Sequence, residues 1–225
     1  MPSVSNIAAQ TLQRQIFSSH YQPGSALPPQ RELSESLGIS RASLREAISM
    51  LEALGLLRSH PGKGVFVTSG TRPAPGDLPV GPSAMPPAEI YQLRYVIEPA
   101  SASLAAQLRT DLTLESLRAS LMGMQAALTT CDLVMAADED LRFHLLIAEL
   151  SGNAGLQAVT GQFKAQLAFS LRLPFSDRAH IWQPFNEHQN IFEAVAAGDA
   201  KSARKAMQHH LLAAANRIGI SFLQP

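Results

Sequence analysis

The sequence comprises 225 residues, of which 46% are hydrophobic and 16% are charged, and its 18 basic residues balance its 18 acidic ones. This composition argues against a largely disordered chain, because two modest cores can be buried, and zero net charge excludes a strongly basic nucleic-acid binder. The single Cys131 excludes an internal disulfide, and we expect a cytoplasmic protein because neither a signal peptide nor an apolar run of about 18 residues is evident.

The N-terminal part of the chain predicts three helices followed by a hairpin. Apolar residues recur at helical spacing over residues 4–18, and a turn signal follows. A proline pair that begins at Pro28 opens a second helix, which ends at Gly38. Ser40 then suits the N-cap of a third helix, and residues 57–67 read as two short strands around a glycine-containing tip. The order of these elements predicts a helix-turn-helix with a wing.

Two arginines of the third predicted helix, Arg41 and Arg45, are four residues apart and therefore share one face. A helix of this kind fits the major groove of DNA, where arginine can form a bidentate contact with guanine. The alternative is that both arginines are solvated charges on the surface of a small helical subdomain. The turn, the wing and the paired arginines together favour DNA binding.

A dense set of motif positions covers residues 27–67. They are Leu27-Pro28, Arg31-Glu32-Leu33, Leu37-Gly38-Ile39-Ser40-Arg41, Arg45-Glu46-Ala47, Leu51, Gly55-Leu56 and Gly62-x-Gly64-x-x-Val67. This pattern resembles the winged-helix domain of GntR-type transcriptional regulators, although Gln30 stands where the family commonly has an acidic residue. The resemblance implies that arginines of the helices contact DNA and that the wing tip reaches the neighbouring minor groove. The DNA-binding residues that we predict are Arg31, Ser40, Arg41, Ser43, Arg45, Gly62 and Lys63.

A change of composition divides the chain. Residues 71–87 are rich in proline and glycine and lack apolar periodicity, which predicts a linker between domain 1–70 and domain 88–225. No convincing strand pattern follows the linker. Helical periodicity is found over residues 88–108, 113–128, 132–150, 154–171, 182–197 and 200–219. We therefore predict a mainly α protein that consists of a winged helix and a C-terminal all-α bundle.

The bundle contains polar residues that could meet in its interior. Asp140 and His144 are four residues apart on a face that is otherwise apolar, and burial without partners would cost several kcal/mol. His188 lies on a later helix. On the last helix, the apolar positions share a face with His210 and not with His209, so we expect His210 to point inward. One carboxylate and three imidazoles suit Zn²⁺ or another borderline divalent ion. The alternative is a core hydrogen bond between the first two residues and two ordinary histidines.

A second group of motif positions extends over the bundle. It consists of Asp140-x-x-Phe143-His144-x-x-Ile147, Ser151-Gly152-Asn153 with Leu156, His188-x-x-Ile191-x-x-Ala194-Val195-x-x-Gly198-Asp199-x-x-x-Ala203, and Met207-x-x-His210-Leu211. This group resembles the FCD effector domain of the FadR-type branch of GntR regulators. In metal-binding members the matching positions hold a divalent ion, so the resemblance implies the ligands Asp140, His144, His188 and His210. Zinc is the first choice, and nickel or another transition metal is the alternative.

The resemblance also indicates where an effector would bind. Arg94 matches a position near the effector cavity of the family, where a guanidinium can pair with a carboxylate bidentately. The alternative for Arg94 is an exposed ion pair with Glu98, four residues later. Arg172 is a second candidate for the same pocket. We predict that Asn153 caps a helix and does not contact a ligand.

Together these features predict a ligand-responsive transcriptional regulator that is not an enzyme. We expect a homodimer that binds a pseudo-palindromic operator, because one small winged helix rarely gives operator-level affinity. A small organic acid that binds the metal and Arg94 would be the effector. The resemblance implies repression that the acid relieves, and activation is the alternative. One alternative is a DNA-binding protein with a purely structural metal. Another is a metal-dependent hydrolase tethered to DNA, although the sequence has no evident general base or nucleophile motif beside the ligands.

Overall fold

The computed structural model describes residues 3–70, 78–79 and 85–224 of the chain. The predicted linker over 71–87 lies largely outside these residues. The described N-terminal part contains three helices and a two-stranded sheet, as predicted for a winged helix. The elements are α1 (Val4–Phe17), α2 (Gln30–Ser36), α3 (Arg41–Ala53), β1 (Leu57–His60) and β2 (Gly64–Val67).

Local sequence signals account for the ends of α3 and for the wing. Ser40 caps α3, since its hydroxyl accepts the backbone N–H of Ser43 at 3.0 Å. Gly55 follows the helix with a φ of +65°, a backbone conformation that a glycine adopts without steric cost. Strands β1 and β2 pair antiparallel, with Leu57 opposite Val67. The expected helix-turn-helix with a wing is therefore present.

The C-terminal part is an all-α bundle, as the apolar periodicity predicts. Within residues 85–224 its helices are α4 (Pro87–Leu108), α5 (Asp111–Thr129), α6 (Leu133–Leu150), α7 (Ala154–Gln162), α8 (Lys164–Arg172), α9 (Gln183–Ala197) and α10 (Ala200–Arg217). Two short 3-10 helices, Leu173–Ser176 and Arg178–His180, connect α8 to α9. Among the described residues, no helix is both long enough and apolar enough to cross a bilayer.

The prediction of a single long helix over residues 154–171 is wrong, because Phe163 interrupts the helix and separates α7 from α8. Phe163 has a φ of −109° and a ψ of 26°, outside the helical range. Its side chain is buried with Ile97, Leu167 and Leu171 in one apolar cluster. Position 163 carries neither a glycine nor a proline, so the sequence gives no local signal for this break. The break instead accompanies burial of the Phe163 ring.

The two domains pack against each other through α1 and the first half of α6. Asp132, at the N-terminus of α6, accepts hydrogen bonds from the side-chain amides of Gln10 and Gln13, both at 3.0 Å. Nearly two turns further along α6, Asp138 accepts a hydrogen bond from the side-chain amide of Asn6. Apolar residues of the winged helix also share one buried cluster with residues of α5 and α6. The DNA-binding domain therefore rests on the helix that carries Asp140 and His144.

Candidate metal centre and DNA-binding surface

Helix α3 presents the predicted DNA-binding residues on its solvent side. Leu44, Ile48 and Leu51 are buried in the core of the winged helix, whereas Arg41 and Arg45 are exposed on another face. This division follows from the spacing of the apolar residues, which fixes the face of α3 that packs inward. Both guanidinium groups are thus available to a duplex in front of the helix.

The remaining predicted DNA contacts lie beside α3 or on the wing. Arg31 is exposed on α2 and forms an ion pair with Glu35 at 3.1 Å, whose energetic contribution at such exposure is small. Gly62 turns the wing tip with a φ of +72°, and Lys63 beside it is exposed. Ser40 and Ser43 are held at the start of α3 by the capping contact. These placements are compatible with a DNA contact and leave the role of each residue a prediction.

Three helices bring the four predicted metal ligands together in the bundle. Nε2 of His144 lies 3.1 Å from Nε2 of His188 and 3.2 Å from Oδ1 of Asp140, which is itself 3.3 Å from Nε2 of His188. The ring of His210 is centred 4.6 Å from that of His188 and 5.2 Å from that of His144. Each of these four residues is at most 2% exposed. His209, by contrast, is exposed, as expected.

Three of the four predicted ligands have the spacing that a zinc ion requires, and all four offer suitable donor atoms. Two ligand atoms of a tetrahedral zinc ion lie about 3.3 Å apart when each is about 2.0–2.1 Å from the metal. The separations of 3.1 to 3.3 Å among Asp140, His144 and His188 match that spacing. Nε2 of His210 is buried and has no hydrogen-bond partner among the described residues. Such an orphaned nitrogen next to three other donors fits a divalent cation.

The electrostatics of the cluster also suit a cation. Burial lowers the pKa of His188 and the pKa of His210, so both imidazoles stay neutral, as metal ligands must. Burial alone would raise the pKa of Asp140, but the adjacent imidazoles of His188 and His144 lower it. Burial opposes charge on His144 as well, yet Glu98 and Asp140 raise its pKa. A bound cation would therefore compete with a proton on His144.

Arg94 lies beside the cluster, with its guanidinium entirely buried. Nη2 of Arg94 is 3.3 Å from Nε2 of His144, and Nη1 donates to the hydroxyl of Ser170 at 3.2 Å. Arg94 also forms the ion pair with Glu98 that its sequence spacing suggests, at 2.8 Å. The pair is buried, so the alternative of an exposed pair is wrong. The guanidinium of Arg94 thus lies directly beside the four predicted metal ligands.

Arg172, the second candidate for an effector contact, lies in a different environment. Its Nη2 donates to Oδ1 of Asp138 at 3.3 Å, on the side of α6 that contacts Asn6 of the DNA-binding domain. Asn153 accepts the backbone N–H groups of Gly155 and Leu156 and thereby caps α7, as expected. The described contacts of Arg172 therefore connect it to the domain interface and not to the four clustered ligands.

Two charged residues of the site were not expected from the sequence, namely Glu187 and Arg217. Glu187 contacts His210 and Arg217 in the interior. One signal could have revealed Arg217, because residues seven apart on a helix share a face and His210 is seven residues before it. Glu187 directly precedes His188, but the sequence alone gives no reason for it to reach another helix.

Comparison with known proteins identifies two matching domains. Residues 5–67 match the family described as bacterial regulatory proteins, gntR family, and residues 89–213 match the FCD domain. The chain is 33% identical over 212 residues to the Uxu operon regulator of Haemophilus influenzae, with 90% of this chain and 77% of that protein covered. It is 30% identical over 206 residues to the HTH-type transcriptional regulator LutR of Bacillus subtilis, with 87% and 92% covered.

A solved structure supports the same fold. The Escherichia coli protein McbR/YncC superposes with a TM-score of 0.53 at 21% sequence identity, and the match covers 97% of this chain and 98% of that one. At this level of identity the likeness concerns the arrangement of the helices alone.

Proposed function

We propose a detailed function from one premise, which is that this chain belongs to the gntR family of bacterial regulatory proteins and carries a C-terminal FCD domain. It is accordingly a DNA-binding transcriptional regulator and not an enzyme. The proposal adds three elements, which are a zinc ion in the bundle, a small organic acid that binds beside it, and a homodimer that represses from a pseudo-palindromic operator in the cytoplasm.

The buried cluster is the observation that carries the proposed sensor. Asp140, His144, His188 and His210 would hold the ion, which would supply a Lewis-acidic position for a carboxylate oxygen. Arg94 would pair with the same carboxylate, since its Nη2 lies 3.3 Å from Nε2 of His144. The described contacts of Arg172 lie at the domain interface, and we therefore assign the anion contact to Arg94, whose pair with Glu98 would have to open when the acid binds. Because the site is closed to solvent, the acid must enter through an opened state of the bundle.

A structural metal without an effector is the second candidate. The ligand set favours it, because four protein side chains complete a tetrahedral coordination, as they do in structural zinc sites. The buried guanidinium of Arg94 favours the sensor, because it places a second cationic group where an anion would bind. An effector titration separates the two.

The zinc-loaded protein is titrated with a panel of small hydroxy-acids and dicarboxylic acids. We expect at least one acid of such a panel to raise the melting temperature of the zinc-loaded protein. At about 100 times its dissociation constant the stabilisation is about 2.7 kcal/mol, or roughly 5–11 °C for a protein of this size. Differential scanning fluorimetry with and without a chelator measures it, and the chelator should abolish the shift. Bound zinc without any shift across the panel would favour the structural role.

Arg45→Ala tests the proposed contact with the operator. Loss of a bidentate guanine contact should weaken binding by about 1–3 kcal/mol and relax specificity at one position of each half-site. Fluorescence anisotropy at fixed salt measures the change on a duplex that the wild-type protein selects from a randomised library. Arg14→Ala, which removes an exposed arginine of α1, is the matched control and should bind as the wild type does.

Two results of the anisotropy titration with operator DNA would count against the proposal. Equal affinities of Arg45→Ala and wild type would remove the assigned role of Arg45. A stoichiometry of one chain per selected operator would contradict the homodimer.

A further inference from the structure

Glu187 connects the C-terminal end of α10 to the metal cluster. Its Oε2 accepts a hydrogen bond from Nδ1 of His210 at 2.8 Å. Arg217 donates to both oxygens of the same carboxylate, at 2.6 and 2.8 Å. The side chains of these three residues are 11%, 2% and 8% exposed, so the contacts have little access to solvent. Arg217 thereby holds Glu187, and Glu187 holds His210.

This contact decides which nitrogen of His210 is available to a metal ion. A carboxylate only accepts hydrogen bonds, so Nδ1 of His210 must carry the proton. Glu187 receives two hydrogen bonds from the guanidinium of Arg217 as well as the one from His210, which is the environment of a carboxylate. Nε2 is consequently the nitrogen with the lone pair. It is buried without a partner among the described residues and belongs to the cluster with His144 and His188.

We propose that Glu187, held by Arg217, is a positioning residue that keeps Nε2 of His210 directed at the metal position. The inference rests on the metal site proposed above and names a residue outside the ligand set. Ligating histidines commonly donate their second nitrogen to such a carboxylate, which fixes the tautomer and the orientation of the ring. A fixed ring binds an ion more tightly because less rotational freedom is lost on binding.

A second arginine–glutamate pair, Arg94 and Glu98, lies beside the cluster and supports this interpretation. Oε2 of Glu98 is 2.8 Å from Nδ1 of His144, and Arg94 donates to both oxygens of Glu98. Two of the three imidazoles are thus approached from outside by a carboxylate that an arginine holds. Since Arg94 has a proposed role towards the effector, Glu187 allows the positioning role to be tested by itself.

Zinc affinity, measured by competition with a chromophoric chelator, tests the proposal. Glu187→Ala should bind zinc about 10- to 100-fold more weakly than the wild type. Glu187→Gln should lose less zinc affinity than Glu187→Ala, because an amide oxygen still accepts the hydrogen bond from His210. Glu193→Ala, which removes an exposed glutamate of the same helix, should bind zinc as tightly as the wild type.

A double variant distinguishes positioning from general damage, because Glu187→Ala also leaves the buried Arg217 without its carboxylate. Glu187→Ala/Arg217→Met removes that stranded charge. It should bind zinc as weakly as Glu187→Ala if the lost contact with His210 is the cause. Restored affinity in the double variant, or unchanged affinity in Glu187→Ala, would overturn the inference. Failure of the wild-type protein to bind zinc at all would instead contradict the metal site itself, and the inference with it.

Discussion

Zinc at about 1,000 times its dissociation constant should stabilise the wild-type protein by about 4 kcal/mol. For a chain of this size this corresponds to a rise in melting temperature of roughly 8–16 °C. The effect is large because Asp140, His144, His188 and His210 meet only in the folded bundle, so the ion binds the folded state and not the unfolded one. Calorimetry before and after removal of the metal with a chelator measures the difference.

His210→Ala provides the sharpest variant for this experiment, because the chain offers a neighbouring control. His210 is buried in the cluster, whereas His209 on the same helix is exposed. We expect zinc to raise the melting temperature of His209→Ala as it does that of the wild type. The zinc-dependent rise should be lost in His210→Ala, since one of four ligands is missing. Equal zinc-dependent rises in the two variants would show that the ion binds elsewhere.

Gly55→Ala should destabilise the protein by about 2–5 kcal/mol. An alanine at the φ of +65° costs about 1–2 kcal/mol. In addition, a Cβ at this position would lie 2.7 Å from the Cβ and 3.0 Å from the Cα of Ser176, in the 3-10 helix after α8, and relief of such overpacking costs about 1–3 kcal/mol. Urea unfolding monitored by circular dichroism measures the change.

Gly38→Ala is the matched control for Gly55→Ala. Gly38 has the same φ of +65°, but a Cβ there would meet no atom within 4 Å. The Gly38→Ala variant should therefore lose only the backbone contribution to the free energy of unfolding, about 1–2 kcal/mol. The difference between the two variants isolates the contact between the DNA-binding domain and the bundle. Equal losses would mean that the two domains do not approach each other at Gly55 in solution.

Much of the fold follows from the sequence because its signals are local. The helix ends of the bundle lie within two residues of the predicted ones apart from the break at Phe163, since caps such as Asn153 and Asp199 mark them. The inward choice of His210 over His209 is confirmed, because apolar periodicity fixes the buried face of α10.

Other features depend on packing between distant parts of the chain and have no local signal. The break at Phe163 accompanies burial of its ring against residues of α4 and α8. The contact of Glu187 with His210 joins two helices over 23 residues of sequence. The location of Arg172 at Asp138, and not beside the metal cluster, likewise depends on how α8 lies against α6. Such pairings are determined by the tertiary arrangement, which periodicity and capping do not specify.

Helix α6 contacts both the DNA-binding domain and the cluster of imidazoles in the bundle. Asp138 on this helix contacts the DNA-binding domain, and Asp140, two residues later, contacts the imidazoles of the bundle. By thermodynamic reciprocity, the factor by which a ligand of the bundle changes operator affinity equals the factor by which the operator changes affinity for that ligand. If the ligand releases the operator, as proposed above, operators of unequal strength would be vacated at unequal ligand concentrations, and one regulator would have a separate threshold for each promoter it occupies.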